Sequence, residues 1–210
     1  MALKENDFVE LDYTGILKED NSVFDTTDAS VAKQHNLKGD FKPVIVCLGK
    51  GHLLQGLEKK IIGKELGKHR IELSVDEAFG RKNAKLMNLI PTQNFFKQGI
   101  RPEPGMPVQI DGTMGTVRAV TGGRTIVDFN HPLAGKDVIY EVTLHKVVTD
   151  SAQKVKALVK SFINQDAQVS IDKDDASVSL KAELPKQIAD ELGKEVAKLA
   201  GVRHVNFLKA

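Results

Sequence analysis

Apolar and polar side chains alternate along Phe8–Leu17, with Val9, Leu11 and Tyr13 on one side and Glu10 and Asp12 on the other. That period of two predicts a half-buried strand, with Tyr13 turned toward the core and its hydroxyl in need of a partner there. A polar step over 18–22 leads to Val23-Phe24-Asp25-Thr26-Thr27, and the polar run 28–41 reads as an excursion over the surface. The apolar run 43–48 predicts another strand, turned by Gly49-Lys50-Gly51. Leu53, Leu54, Leu57, Ile61 and Ile62 then follow helical spacing, with Gly63 as the terminator. Alternation returns over 69–75 through Ile71, Leu73 and Val75, and stops at Asp76-Glu77-Ala78-Phe79-Gly80.

From about Ala84 the pattern changes. Leu86, Met87, Leu89, Ile90, Phe95, Phe96, Ile100, Met106 and Met114 crowd one segment that also holds Pro91, Pro102, Pro104 and Pro107 and several glycine turns. It predicts a small β module with strands at 107–111, 115–120 and 125–129 and a short helix near 92–97. The turn Asn130-His131-Pro132-Leu133-Ala134-Gly135 then feeds Val138, Tyr140, Val142 and Leu144 at period two. A strand this late needs partners, and the best candidates precede it by more than a hundred residues. The chain therefore reads as a β domain interrupted by a module: 1–83 with 130–150 around 84–129.

Beyond it, Asp150-Ser151 is an N-cap signal, and Val155, Leu158, Val159, Phe162 and Ile163 mark an amphipathic helix. Val169 and Ile171, then Val178 and Leu180, predict a hairpin about Lys173-Asp174-Asp175. Pro185 opens another helix with Ile188, Leu192, Val196 and Leu199 inward, Gly201 closes it, and 202–208 is a last strand. Residues 151–210 are thus expected to form a separate αββαβ domain. The fold class is α+β.

Composition narrows the function. The chain is 41% apolar and 28% charged with a formal net charge of +2, as for a globular protein without the basic run of a nucleic-acid binder. Residues 151–210 are close to charge balance, which disfavours a phosphate-binding role and makes nucleic acid an improbable partner. The N-terminus lacks an apolar signal core and no window could span a bilayer, so the expectation is a cytoplasmic protein without a membrane partner. Cys47 lies in an apolar run and reads as a small buried hydrophobe. The six histidines are scattered without ligand spacing, so no metal and no cofactor are expected. No phosphate loop or nucleophile–base pair stands out.

What recurs is an aromatic or aliphatic residue beside a turn. Tyr13-Thr14-Gly15, Phe24-Asp25-Thr26, Leu48-Gly49-Lys50, Leu54-Gln55-Gly56-Leu57-Glu58, Ala78-Phe79-Gly80 and Tyr140-Glu141-Val142 stand in an order that resembles FKBP-type peptidyl-prolyl isomerases. A module between Ala78-Phe79-Gly80 and Asn130-His131-Pro132 resembles the SlyD-like branch, whose members carry an insert-in-flap chaperone domain there. The appended 151–210 resembles the long archaeal members. The resemblance covers roughly 4–149 and implies an antiparallel half-barrel sheet wrapped on a short helix.

It also implies a site. Tyr13, Phe24, Asp25, Leu54, Leu57, Phe79 and Tyr140 would be the catalytic residues, and Val44, Leu53, His131 and Leu133 would contact substrate. Leu57 stands where a tryptophan is usual, and Val44 and Phe79 replace a Phe and a Tyr. The His-rich metal tail of some relatives is absent. In the module, Met87, Ile90, Phe95, Phe96 and Met106 would offer a soft apolar surface to unfolded chain. The expected partners are unfolded or nascent polypeptides with X-Pro bonds, and the edges and helices of 151–210 would permit a homodimer. A non-enzymatic holdase and a ribosome-associated adaptor are the alternative readings.

Overall fold

The computed structural model describes residues 2–182 and 184–209. In chain order its elements are β1 (Phe8–Leu17), β2 (Val23–Thr26), α1 (Ala29–Gln34), β3 (Val44–Cys47), α2 (Gln55–Ile61), β4 (Gly67–Leu73), β5 (Met87–Pro91), α3 (Thr92–Lys97), β6 (Pro107–Ile110), β7 (Thr113–Thr121), β8 (Arg124–Asp128), β9 (Val138–Val147), α4 (Ser151–Ile163), β10 (Gln168–Asp172), β11 (Asp175–Leu180), α5 (Lys186–Ala200) and β12 (His204–Lys209). It is a mixed α+β fold with antiparallel sheets and few helices. The chain divides into two compact units, Met1–Leu73 with Val138–Ala210, and Ser74–Asp137.

In the first unit β1 is central. It pairs antiparallel with β2, β3 and β9, and β9 pairs antiparallel with β4, giving the order β2-β1-β9-β4 with β3 beside β1. The late strand β9 thus finds its partners where the alternation placed them, Tyr13 opposite Val142 and Ile71 opposite Tyr140. One sheet face, with Val9, Leu11, Ile71, Leu73, Val142 and Leu144, is buried, as are Leu57 and Ile61 on α2. Each such side chain contributes about 1.5–3 kcal/mol by leaving water.

Phe8 sits on the other side of the alternation, yet it is 2% exposed. The reason lies in 151–210: Phe8, Cys47 and Val148 share a core with Val155, Leu158 and Val159 of α4, Val178 and Leu180 of β11 and Val196 of α5, and the Lys154 ammonium lies over the Phe8 ring at 5.5 Å. The C-terminal segment keeps the αββαβ order, with β11 antiparallel to β10 and parallel to β12. It belongs to the same compact unit as the first sheet.

Two local expectations fail here for physical reasons. The polar run 28–41 contains α1, because the Asp28 carboxylate caps the Ser30 and Val31 N–H groups; six residues are too few for periodicity to reveal. Ile188, expected inward, is 49% exposed. The buried stripe of α5 begins a turn later at Leu192 and Gly193, where a Cβ on Gly193 would stand 3.1 Å from the Val205 carbonyl, so the helix can approach β12 closely there.

The second unit is a four-stranded antiparallel sheet in the order β5-β8-β7-β6, with α3 beside β5. Its core consists of Phe95, Val108, Val117 and Val127, with Ile90, Ile100, Met106, Ile110 and Phe129 partly buried against it. Strand β5 was not foreseen: Met87 and Leu89 on it are exposed, so it carries no inward apolar stripe to read.

Candidate functional site

Tyr13, Phe24, Asp25 and Tyr140 come together on the first unit. Strand β1 delivers Tyr13, β2 delivers Phe24 and Asp25 at consecutive positions, and β9 delivers Tyr140 from beyond the second unit in the sequence. Gly15 makes this possible locally. A Cβ there would stand 2.5 Å from the far end of the Phe24 ring, so the ring can come this close to the strand only where no side chain intervenes. Phe24 meets Tyr140 edge to face at 5.9 Å and 88°, and Tyr13 meets Tyr140 at 5.9 Å and 60°. Tyr140 is 5% exposed and Leu57 is 1% exposed.

The polar end of this cluster is set by one bond. Tyr13 Oη donates to Asp25 Oδ2 at 2.9 Å. Burial pushes the ionisation of both phenols far upward, and the Asp25 charge adds to it in each case. Both therefore stay protonated, and each can donate a hydrogen bond. Behind Tyr13, its N–H donates to Thr27 Oγ1, Thr27 donates to Asp12 Oδ1, and Asp12 Oδ2 lies 2.8 Å from His145 Nε2.

The loop 49–54 borders α2. The Glu58 carboxylate, 3% exposed, accepts from the N–H groups of Gly49 at 3.0 Å, Gly51 at 3.1 Å and Leu53 at 2.9 Å. Those three bonds fix the loop that presents Leu53 and Leu54, both half-buried. Leu54 is the N-cap residue of α2 without a side-chain cap, and no described group accepts from its N–H. Glu58 was legible only as part of a motif; its role depends on a loop folding back five to nine residues, which periodicity does not encode. His52 in the same loop accepts the Cys47 N–H at Nδ1, leaving Nε2 buried without a partner among the described residues. Its ring stands edge-on to Phe162 of α4 at 6.4 Å, and burial lowers its basicity. Cys47 itself is fully buried, and desolvation pushes its thiol up to about 11.

Val44 and Leu53 lie with Tyr13 along a groove between β3 and α4. Phe79, His131 and Leu133 belong to the second unit, where Phe79 stacks on the exposed His131 ring at 4.6 Å and 5°. The apolar residues of that unit divide. Met87 is 39% exposed and Phe96 57%, but Phe95 is 4% exposed at the centre of its core, and Ile90 and Met106 pack against that core. On the short helix α3, Phe95 points inward and its neighbour Phe96 outward. Among the described residues, no group of three or more His, Cys, Asp or Glu could hold a metal ion, and no helix is long and apolar enough to cross a membrane.

Residues 88–133 match the family model described as FKBP26, IF domain. The chain is 30% identical over 149 residues to the short-type peptidyl-prolyl cis-trans isomerase of Methanocaldococcus jannaschii, which covers 69% of this chain and 94% of that one. It is 33% identical over 112 residues, 50% of this chain and 74% of the other, to the FKBP-type 16 kDa peptidyl-prolyl cis-trans isomerase of Escherichia coli. Over 122 residues, 55% of this chain and 60% of the relative, it is 27% identical to the FKBP-type isomerase SlyD of Helicobacter pylori. The chain belongs to the FKBP-type peptidyl-prolyl cis-trans isomerases, with SlyD-like relatives. Its activity is the interconversion of cis and trans peptide bonds before proline.

Proposed function

We propose that the cluster of Tyr13, Phe24 and Tyr140, with Asp25 at its polar end and Leu57 of α2 as its floor, is the isomerase pocket. Rotation about a peptide bond costs ~18–20 kcal/mol because twisting breaks amide resonance. For X-Pro bonds both planar isomers are populated, yet exchange takes roughly tens of seconds or more. The planar amide is the more dipolar form, so water stabilises it over the twisted one. A dry aromatic lining removes that advantage, and each ~1.4 kcal/mol of differential stabilisation gives tenfold in rate. No covalent step is required.

The roles in this reading are these. Phe24, Leu57 and Tyr140 form apolar walls for the prolyl ring. The Leu54 N–H, which no described group occupies, holds a substrate carbonyl. Asp25 keeps the Tyr13 hydroxyl aimed across the pocket and faces the rotating carbonyl. The observation that carries this reading is the Tyr13–Asp25 bond at the open rim of an aromatic cluster in which Tyr140 is buried and Tyr13 and Phe24 are half-buried. Asp25→Ala and Phe24→Ala should each slow isomerisation of a short prolyl peptide at least tenfold with the far-ultraviolet spectrum unchanged. Full activity in both variants would show that the pocket lies elsewhere.

The second unit is proposed to hold unfolded chain, as an insert-in-flap chaperone domain in a long-type isomerase. Its support is the exposure of Leu86, Met87, Leu89, Phe96, Met114 and Val120, which gives so small a unit an apolar surface. Methionine and phenylalanine together suit adaptable binding. The clients are then unfolded polypeptides with X-Pro bonds, and family membership favours this enzyme over a non-enzymatic holdase.

A further inference from the structure

A groove of about 470 Å³ runs between β3 and α4 and begins at the isomerase cluster. Tyr13, Val44 and Leu53 form its near end, and Gln153, Lys156, Ala157, Lys160 and Ser161 form the wall on α4. From Gln153 to Ser161 a helix rises about 12 Å, the length of roughly four residues of extended chain. The wall is there because 151–210 packs on the first sheet through Phe8, Cys47 and Val148, and His52 meets Phe162 across the same junction.

The opposite wall is the outer edge of β3. This strand pairs only with β1 among the described strands. Leu48 exchanges bonds with the β1 side through Asp7 and Asn6, whereas the Cys47 N–H turns away to His52. Antiparallel pairing alternates, so Ile45, two residues before Cys47, likewise directs its N–H and C=O outward. An edge strand of this kind accepts an extended polypeptide by adding a strand to the sheet.

The charge at the groove has a sign. Lys42, Lys156 and Lys160 line it against the single carboxylate of Asp166. Asp166 is held below the ordinary carboxylate range by the bond from Lys160, with Lys160, Lys42 and Lys156 all contributing attraction. Lys42 is also bonded to Asp40 at 2.7 Å, so the remaining positive charge sits mainly on the α4 side.

We propose that this groove is a subsite for the polypeptide flanking the scanned X-Pro bond, and that it favours flanks carrying Asp or Glu. The flank lies extended beside β3, its backbone bonded at Ile45 and its acidic side chains toward Lys156 and Lys160. The proposal rests on the pocket reading given above, because the groove's near end is shared with Tyr13. The C-terminal segment thereby sets which sequences around proline are processed fastest.

The test compares three prolyl peptides on the full chain: a tetrapeptide, and the same core extended by four residues on both sides with Glu or with Lys at alternate positions. The parent should turn over the Glu-flanked peptide with a kcat/KM about three- to tenfold above the Lys-flanked one, through KM, and the gap should shrink with salt. Lys156→Glu with Lys160→Glu should abolish or invert that preference, and Ala157→Phe should lower kcat/KM on both long peptides, each leaving the tetrapeptide within twofold. Equal rates on the two long peptides in the parent would overturn the proposal. So would a preference that survives the double charge reversal, or variants that lose the tetrapeptide activity equally. Failure of the pocket reading is distinct: it shows as full tetrapeptide activity in Asp25→Ala and Phe24→Ala.

Discussion

The inserted unit and the C-terminal segment are of similar size and both carry many apolar residues, but they dispose of them in opposite ways. The C-terminal segment joins its apolar face to Phe8, Cys47 and Val148 of the first sheet and so enlarges one shared core. The inserted unit closes a core of Phe95, Val108, Val117 and Val127 and leaves Leu89, Phe96 and Met114 at 52%, 57% and 60% exposure. Shared burial makes the first a structural extension of the isomerase sheet. Retained exposure leaves the second with an apolar surface over a small core.

The strongest way to break this contrast is to remove one aromatic ring from each core. Phe95→Ala and Phe8→Ala should each cost about 3–5 kcal/mol. Hydrogen exchange should then separate them: Phe95→Ala raises exchange in 88–129 alone, whereas Phe8→Ala raises it in both β1 and α4. Exchange confined to one element in the Phe8 variant would mean that the shared core is not cooperative.

A second effect of intermediate size concerns Asp128. It is 3% exposed and bonds Arg118 at 3.0 Å, Lys82 at 3.3 Å and the Asn130 N–H at 2.9 Å. Burial would raise its carboxyl, but the Asn130, Arg118 and Lys82 bonds outweigh it and hold the group to about 2. The folded state therefore binds its proton less readily than the unfolded chain. Stability from this group is complete above the ordinary value of 3.8 and is lost as pH falls through about 2. Asp128→Asn should cost about 1–3 kcal/mol at neutral pH and flatten the acid unfolding of the second unit between pH 4 and 2. An unchanged acid transition would remove Asp128 from the account.

The smallest stability effect carries the functional contrast. Leu89→Ser with Phe96→Ser should shift stability by no more than about 0.5 kcal/mol each, since both side chains already face water. The pair should nevertheless weaken suppression of aggregation of an unfolded protein several-fold while tetrapeptide isomerisation is retained. Undiminished suppression would place client binding elsewhere.

Much of the framework was legible in the chain. Period-two alternation marked β1, β4 and β9, Asp150 and Pro185 marked the starts of α4 and α5, and Gly201 marked an end with φ at 74°. Phe24, Asp25, Tyr13 and Tyr140 were named as a group through motif order rather than through any pattern of burial. Helix α1 and strand β5 escaped because one rests on a cap and the other on exposed apolar residues. Phe95 and Phe96 are chemically identical neighbours, and nothing local distinguishes the one inside from the one outside.

By itself the sequence determined most of the strands and helices and the order of the site motifs, because these depend on spacing along the chain. Only the tertiary structure decided that Glu58 ties the 49–54 loop through three N–H groups, that Phe8 is covered by α4 and its neighbours, and that a basic groove opens beside Tyr13. Those are relations between surfaces far apart in the chain. Burial and hydrogen bonding at such places are fixed by what packs against a residue, and its own neighbours in sequence do not carry that information.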